Sequence, residues 1–178
     1  PQHCGTIHIN AGIQDIENAW FDAQQGIPSR KPIVEMTIPT SVDRSIAPDG
    51  HHVASLFVQY APCQLANGQW DEATKNAFAD QCLNEIARYA PNIRDAVLHR
   101  QILSPVDLES VYGLTGGNIF QGAMPLHQLF SMRPVPGWAD YRTPVDRLYL
   151  CGSAAHPGGG VMGACGRNAA MEMLRDGR

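Results

Sequence analysis

The end of the chain constrains it most. From Arg147 to Asp176 it reads RLYLCGSAAHPGGGVMGACGRNAAMEMLRD: a β-rich apolar run, a glycine loop, then a stretch of helix formers. Pro157 to Gly163 holds four glycines and a proline in seven residues, more than a tight strand-to-helix connection requires. Gly158, Gly160 and Gly163 match G-x-G-x-x-G. The dinucleotide fingerprint also demands a turn directly off the strand, a second parallel strand and an acid about 20 residues on for the ribose. Ser153 to Pro157 lengthen the turn, and the βαβ unit is not completed before Arg178. The spacing Gly158 to Gly163 also suits a phosphate P-loop, but Ala164 and Cys165 stand where lysine and a hydroxyl residue must be. What survives is more general: glycines let backbone amides approach a ligand, and a helix starting near Gly163 offers unpaired N–H groups and partial positive charge. Something electron-rich belongs there.

The other signals describe an ordinary globular chain. Its 178 residues can bury a core without disulfide or metal. A formal net charge of −4 gives no electrostatic footprint for nucleic acid. No apolar run reaches the length of a membrane span and no secretory signal pattern opens the chain, so a cytoplasmic or organelle-matrix location, such as mitochondrial, is expected. The start at Pro1, in strand-forming sequence, reads as a piece of something longer. Five scattered cysteines (Cys4, Cys63, Cys82, Cys151, Cys165) read as small, buried, reduced hydrophobes. The histidines, among them His3, His8, His51 and His52, lack ligand spacing, so no metal is expected.

Periodicity predicts an α+β fold. GTIHIN (5–10) alternates as a strand. The following helix places Ile13, Ile16, Trp20 and Ala23 on one face and ends at Gly26. Val34, Met36 and Ile38, and Ala54, Leu56, Val58 and Tyr60, mark an antiparallel pair joined through Pro48, Asp49 and Gly50. Phe78, Cys82, Leu83, Ile86 and Ala90 share the face of a long helix stopping before Pro91. AVLHRQIL (96–103) reads as a strand and SPVDLESVYG as a short helix entered through Ser104 and Pro105. Residues 113–146 form a long glycine- and proline-rich segment of the kind that lines sites. RLYLCG then reads as the last strand before the glycine loop and helix.

These residues resemble a known family. LYLCGSAAHPGGGVMG, with GGNIFQGAMPLHQLFSMRP upstream, is similar to the terminal motifs of the phytoene (carotenoid) desaturase-like flavoprotein oxidoreductases. GTIHI, SLFVQYAP, GLTGGNIFQGAM and RPVPGWADYRTP resemble one subgroup of that family. The resemblance implies that residues 1–112 belong to a substrate domain, an antiparallel sheet with packed helices. It implies that 113–146 line the pocket. Residues 147–178 would then be the terminal strand, loop and helix of a Rossmann-like FAD domain whose N-terminal part, with the diphosphate unit, lies elsewhere. FAD would be held by Gly152, Ser153, His156, Pro157, Gly158, Gly159, Gly160, Val161, Met162 and Gly163. Phe120, Gln121, Met124, His127 and Arg133 would wall a pocket for a small apolar organic substrate. Hydride transfer from a substrate C–H bond to flavin N5 is the implied chemistry; no catalytic base is named, and this chain alone is expected to be inactive. Arg133 reads either as a site for an anionic substrate or as a cap for a carbonyl. Ser153 stands where many relatives are acidic, and Ala155 where the desaturases carry threonine. Peripheral membrane or homo-oligomer contacts remain open, as does a non-catalytic module that keeps the fold without FAD. A nucleotide hydrolase is disfavoured by the missing lysine.

Overall fold

The computed structural model describes residues 2–9 and 12–177. Asn10 and Ala11, in the expected first strand and helix, lie outside them. Among the described residues the fold mixes a three-stranded antiparallel sheet with five α-helices and several 3₁₀ turns. The chain divides into two compact units, Pro1–Asp107 and Leu108–Arg178.

In the first unit β1 (Ile7–Ile9), β2 (Ile33–Thr37) and β3 (Ser55–Gln59) lie in sequence order. The alternation and the antiparallel β2-β3 pair are as read from sequence, and the structure sets the register: Ile9 opposes Val34, Val34 opposes Val58, and Met36 opposes both Ile7 and Leu56. A one-residue slip would turn every one of these side chains to the other face, so burial of this face enforces the pairing. Against it packs α2 (Glu72–Ala87), opened by the Asp71 carboxylate, which accepts from the Thr74 amide at 2.8 Å. Ile9, Val34, Met36, Cys82 and Ile86 form the core, with Ile7, Val58, Phe78, Leu83, Ala90 and Ile93 around them. The opposite sheet face carries His8, Glu35, Phe57 and Gln59, and Gln59 Nε2 donates to Glu35 Oε1 at 3.3 Å.

Helix α1 (Ile13–Gln24) forms as expected but buries a different face. Ile13, Ile16 and Trp20 are exposed, while Ala19 and Asp22 are buried. The cause is local. Ser29 Oγ lies within hydrogen-bonding reach of the Ala19 and Tyr60 carbonyls, and Asp22 accepts from the Arg30 amide at 3.0 Å and from its guanidinium. These bonds require the small, polar side of the helix to face inward. Tyr60 meets the exposed stripe at one point, edge-on to Trp20 at 5.4 Å.

The expected strand at 96–103 does not form. A four-residue helix, α3 (Ile93–Ala96), is followed by irregular chain to Ser104. Apolar alternation supplies a surface but no partner, and backbone without a neighbouring strand to hydrogen-bond is not sheet. Helix α4 (Pro105–Tyr112) begins where Ser104 and Pro105 predicted.

The second unit is mostly irregular, with short 3₁₀ turns at Thr115–Gly117, Leu126–Gln128 and Phe130–Met132. It closes on α5 (Ala164–Asp176). RLYLCG is not a strand either: it makes one antiparallel bridge, Tyr149 to Arg142, with the Leu150 amide donating to the Tyr141 carbonyl at 2.7 Å.

Candidate functional site

The glycine loop has its carbonyls turned inward. Arg133 Nη2 donates to the Ser153 carbonyl at 2.9 Å and to the Phe120 carbonyl at 2.6 Å. Tyr141 Oη donates to the His156 carbonyl at 2.7 Å and accepts from Asn168 Nδ2 at 2.8 Å. The Cys165 thiol lies 3.4 to 3.6 Å from the carbonyls of Ala155, His156 and Gly158. Tyr141, Ala155 and Ala169 form the small apolar cluster beneath, so the loop rests on α5 through alanine, where a larger side chain would hold it off.

The amides behave oppositely. Gly158 N–H donates to Ala155, but among the described residues no acceptor lies within reach of Gly159, Gly160, Val161 or Gly163 N–H. Gly163 caps α5 in the left-handed region, φ 66°, without any side-chain cap, so the helix's first amides are free as well. Unpaired amides at a helix head attract negative charge.

Two of the glycines are required by geometry. Gly158 has φ 100°, and a Cβ there would stand 3.1 Å from Met124 Cε. Gly160 has φ 141°, and its Cβ would stand 2.8 Å from Met162 Cε. A side chain at either position would strain the backbone and push the neighbouring methionine aside.

Of the residues expected around the loop, several are brought together. Phe120 Cδ1 lies 3.3 Å from the Gly159 Cβ position, Met124 lies against Gly158, and Arg133 sits beneath. The His156 ring tilts against Phe130 at 5.4 Å, with Nδ1 buried and unpartnered, and Pro157 is half-buried. Gly152 is exposed, while Val161 and Met162 project outward. Gln121 and His127 are exposed, and no hydrogen bond or ring contact joins their side chains to the loop. Of the two roles open to Arg133 in the sequence, the observed partners are carbonyls. Tyr141, Asn168 and Cys165 did not emerge from the sequence as loop supports. The one available signal was an aromatic residue inside an irregular segment, which must bury its ring somewhere.

Arg142 anchors the far end of α5. Its guanidinium binds Asp140, Glu172 and Asp176 at 2.7 to 2.9 Å, and Tyr149 Oη donates to Asp176 at 2.6 Å. The Arg142 guanidinium and the Tyr149 hydroxyl hold the Asp176 carboxyl down at about 2. All five cysteines are free thiols, but only Cys82 and Cys165 are buried, whereas Cys4 and Cys151 are exposed. Burial pushes the Cys82 thiol up to about 12. Among the described residues no cluster of histidine, cysteine or acid suits a metal ion, and no helix is long and apolar enough to cross a membrane.

No family model matches the chain. Over 98% of its length it is 54% identical to pyridine nucleotide-disulfide oxidoreductase domain-containing protein 2 of Rattus norvegicus, of which it covers 30%. It is 29% identical, over 77% of its length and 27% of the relative, to a 4,4'-diapophytoene desaturase of Staphylococcus aureus. A carotenoid 3,4-desaturase of Haloarcula japonica is also 29% identical, over 82% of the chain and 26% of that protein. The chain thus spans under a third of the length of these curated relatives. The motifs of the glycine loop and the similarity along nearly the whole chain agree: the chain is similar to part of the pyridine nucleotide-disulfide oxidoreductase domain-containing protein 2 and, more distantly, to part of the desaturases.

Proposed function

We propose that this chain supplies one half of the cofactor site, and part of the substrate domain, of an FAD-dependent oxidoreductase of the dehydrogenase or desaturase kind. The reading is carried by one observation: a loop whose carbonyls are held from behind while the amides of Gly159, Gly160, Val161 and Gly163 find no acceptor among the described residues. Such a loop can serve as a cradle for an electron-rich ring edge, and Gly158 and Gly160 hold it in backbone conformations that favour glycine. The relatives' names favour an oxidoreductase, and the resemblance of the terminal motifs to those of the desaturase-like flavoproteins favours a flavin as the occupant.

When bound, FAD supplies the acceptor for a hydride leaving a substrate C–H bond. The chain's own residues do the rest. The amides of Gly159 to Val161 donate to negative charge at the pyrimidine edge. Phe120 and Met124 pack on the loop and present apolar surface, which suits a small apolar organic substrate and excludes water. The diphosphate would be held by sequence outside this chain, in line with the 30% share of the rat relative that it covers. Alone, residues 1–178 would bind FAD poorly and be inactive.

The experiment is to purify the intact protein and record its visible spectrum. A yellow protein that releases FAD on denaturation is expected, with Gly160→Ala lowering flavin content while the fold is retained. An intact, folded and colourless protein that takes up no added FAD would remove the proposal and favour a non-catalytic module.

A further inference from the structure

We propose that Arg133 is an electrostatic positioning residue: a buried positive charge, without a carboxylate of its own, placed behind the glycine loop so that the electron-rich edge of the bound flavin neutralises it. The inference rests on the flavin reading above.

Arg133 is 4% exposed. Arg30, Arg88, Arg100, Arg142 and Arg175 each hold a carboxylate; among the described residues Arg133 holds none. Two of its bonds go to neutral carbonyls, those of Phe120 and Ser153, and its Nε is buried without any partner, 3.8 Å from the Cβ position of Gly158. A buried guanidinium with only carbonyl dipoles to offset it is unfavourable in the ligand-free protein. The same burial lets its field reach through the loop with little screening. The next three loop residues, Gly159 to Val161, have amides without an acceptor among the described residues. Unpaired amides and guanidinium both favour negative charge bound at the loop.

A flavin that takes up two electrons and one proton at N5 carries one negative charge, spread over N1 and the C2 oxygen. A positive charge near that edge raises the midpoint potential. It also strengthens sulfite addition, in which the sulfite lone pair forms a bond to N5, the displaced electron pair settles on N1 and the C2 oxygen, and the yellow colour bleaches. A residue that merely braced the loop would do neither.

The test uses the intact, flavin-bearing protein as wild type, Arg133→Lys and Arg133→Gln, with sulfite and redox titrations. Arg133→Gln is expected to weaken sulfite binding roughly tenfold and shift the oxidised-to-reduced balance by the same factor, about 30 mV for a two-electron couple. Arg133→Lys, which keeps the charge but cannot reproduce the forked bonds, is expected to retain most of the wild-type values. Equal values in all three proteins, or the same loss in Lys as in Gln, overturn the proposal and leave Arg133 a brace. If Arg133→Gln holds no flavin, Arg133→Lys decides alone: sulfite affinity near wild type supports the charge, and a tenfold loss overturns it. A wild-type protein without flavin removes the underlying reading and this inference with it. A yellow wild type with indistinguishable variants removes this inference only.

Discussion

At Gly26 the backbone turns left-handed, φ 71°, just past the end of α1, and a Cβ there would stand 2.6 Å from the Ala66 amide nitrogen. That amide donates to the Gly26 carbonyl at 2.8 Å, so the obstacle is backbone and cannot swing away. Gly50 has nearly the same torsion, φ 76°, in open space. Gly50→Ala is therefore expected to cost about 1 kcal/mol of left-handed strain. Gly26→Ala adds overpacking of about 1–3 kcal/mol. Urea midpoints of the two variants check the difference, and equal losses would mean that the Ala66 backbone gives way freely. The sequence marked Gly26 as a helix end from periodicity alone; the approach of Ala66 depends on the fold. Cys82 and Cys165 were legible as buried hydrophobes, but Cys4 and Cys151 were not legible as exposed, because composition carries no information about which side of a loop faces water.

Among the elements, α4 is the one whose start was written most plainly. Ser104 Oγ donates to the Asp107 carboxylate at 2.6 Å, the Ser104 amide donates to it at 2.8 Å, and the Asp107 amide approaches Ser104 Oγ at 3.3 Å, a reciprocal capping box. Ser104→Ala is expected to lower stability by about 1 kcal/mol and to raise amide exchange in the first turn of α4. Unchanged exchange there would deny the cap its role. Lys75 joins from α2 at 2.9 Å, and together with Ser104 it holds the Asp107 carboxyl down at about 2. Helix α1 was legible in extent but not in orientation, because its inward face is chosen by Ser29, Arg30 and Tyr60, which are distant or polar. The two missing strands failed for a related reason: RLYLCG and AVLHRQIL have strand-like side chains, and pairing is decided by what lies alongside.

At the scale of the whole chain the carboxylates set the response to acid. Asp107 and Asp176 are both held at about 2 in the folded protein, and Asp22 is lowered by its bonds to Arg30. An unfolded aspartate titrates at about 3.9. Each group's contribution is therefore fully present above that value and is lost as pH falls through the folded values. Stability is expected to be insensitive to these groups between pH 7 and 5 and to drop steeply from about pH 4 toward 2. Asp107→Asn should flatten that drop while lowering stability at neutral pH; an unaltered acid limb would show the carboxylate uncoupled from folding. By itself the sequence determined what local chemistry dictates: helix positions from apolar spacing and caps, the in-out alternation of β1, β2 and β3, the antiparallel pairing of β2 with β3, and a glycine loop leading into α5. Only the tertiary structure decided which face of α1 is buried, that two apolar runs stay unpaired, and that Arg133 lies uncompensated beneath the loop. Those outcomes depend on burial and on hydrogen-bond partners many residues away, and no local pattern encodes them.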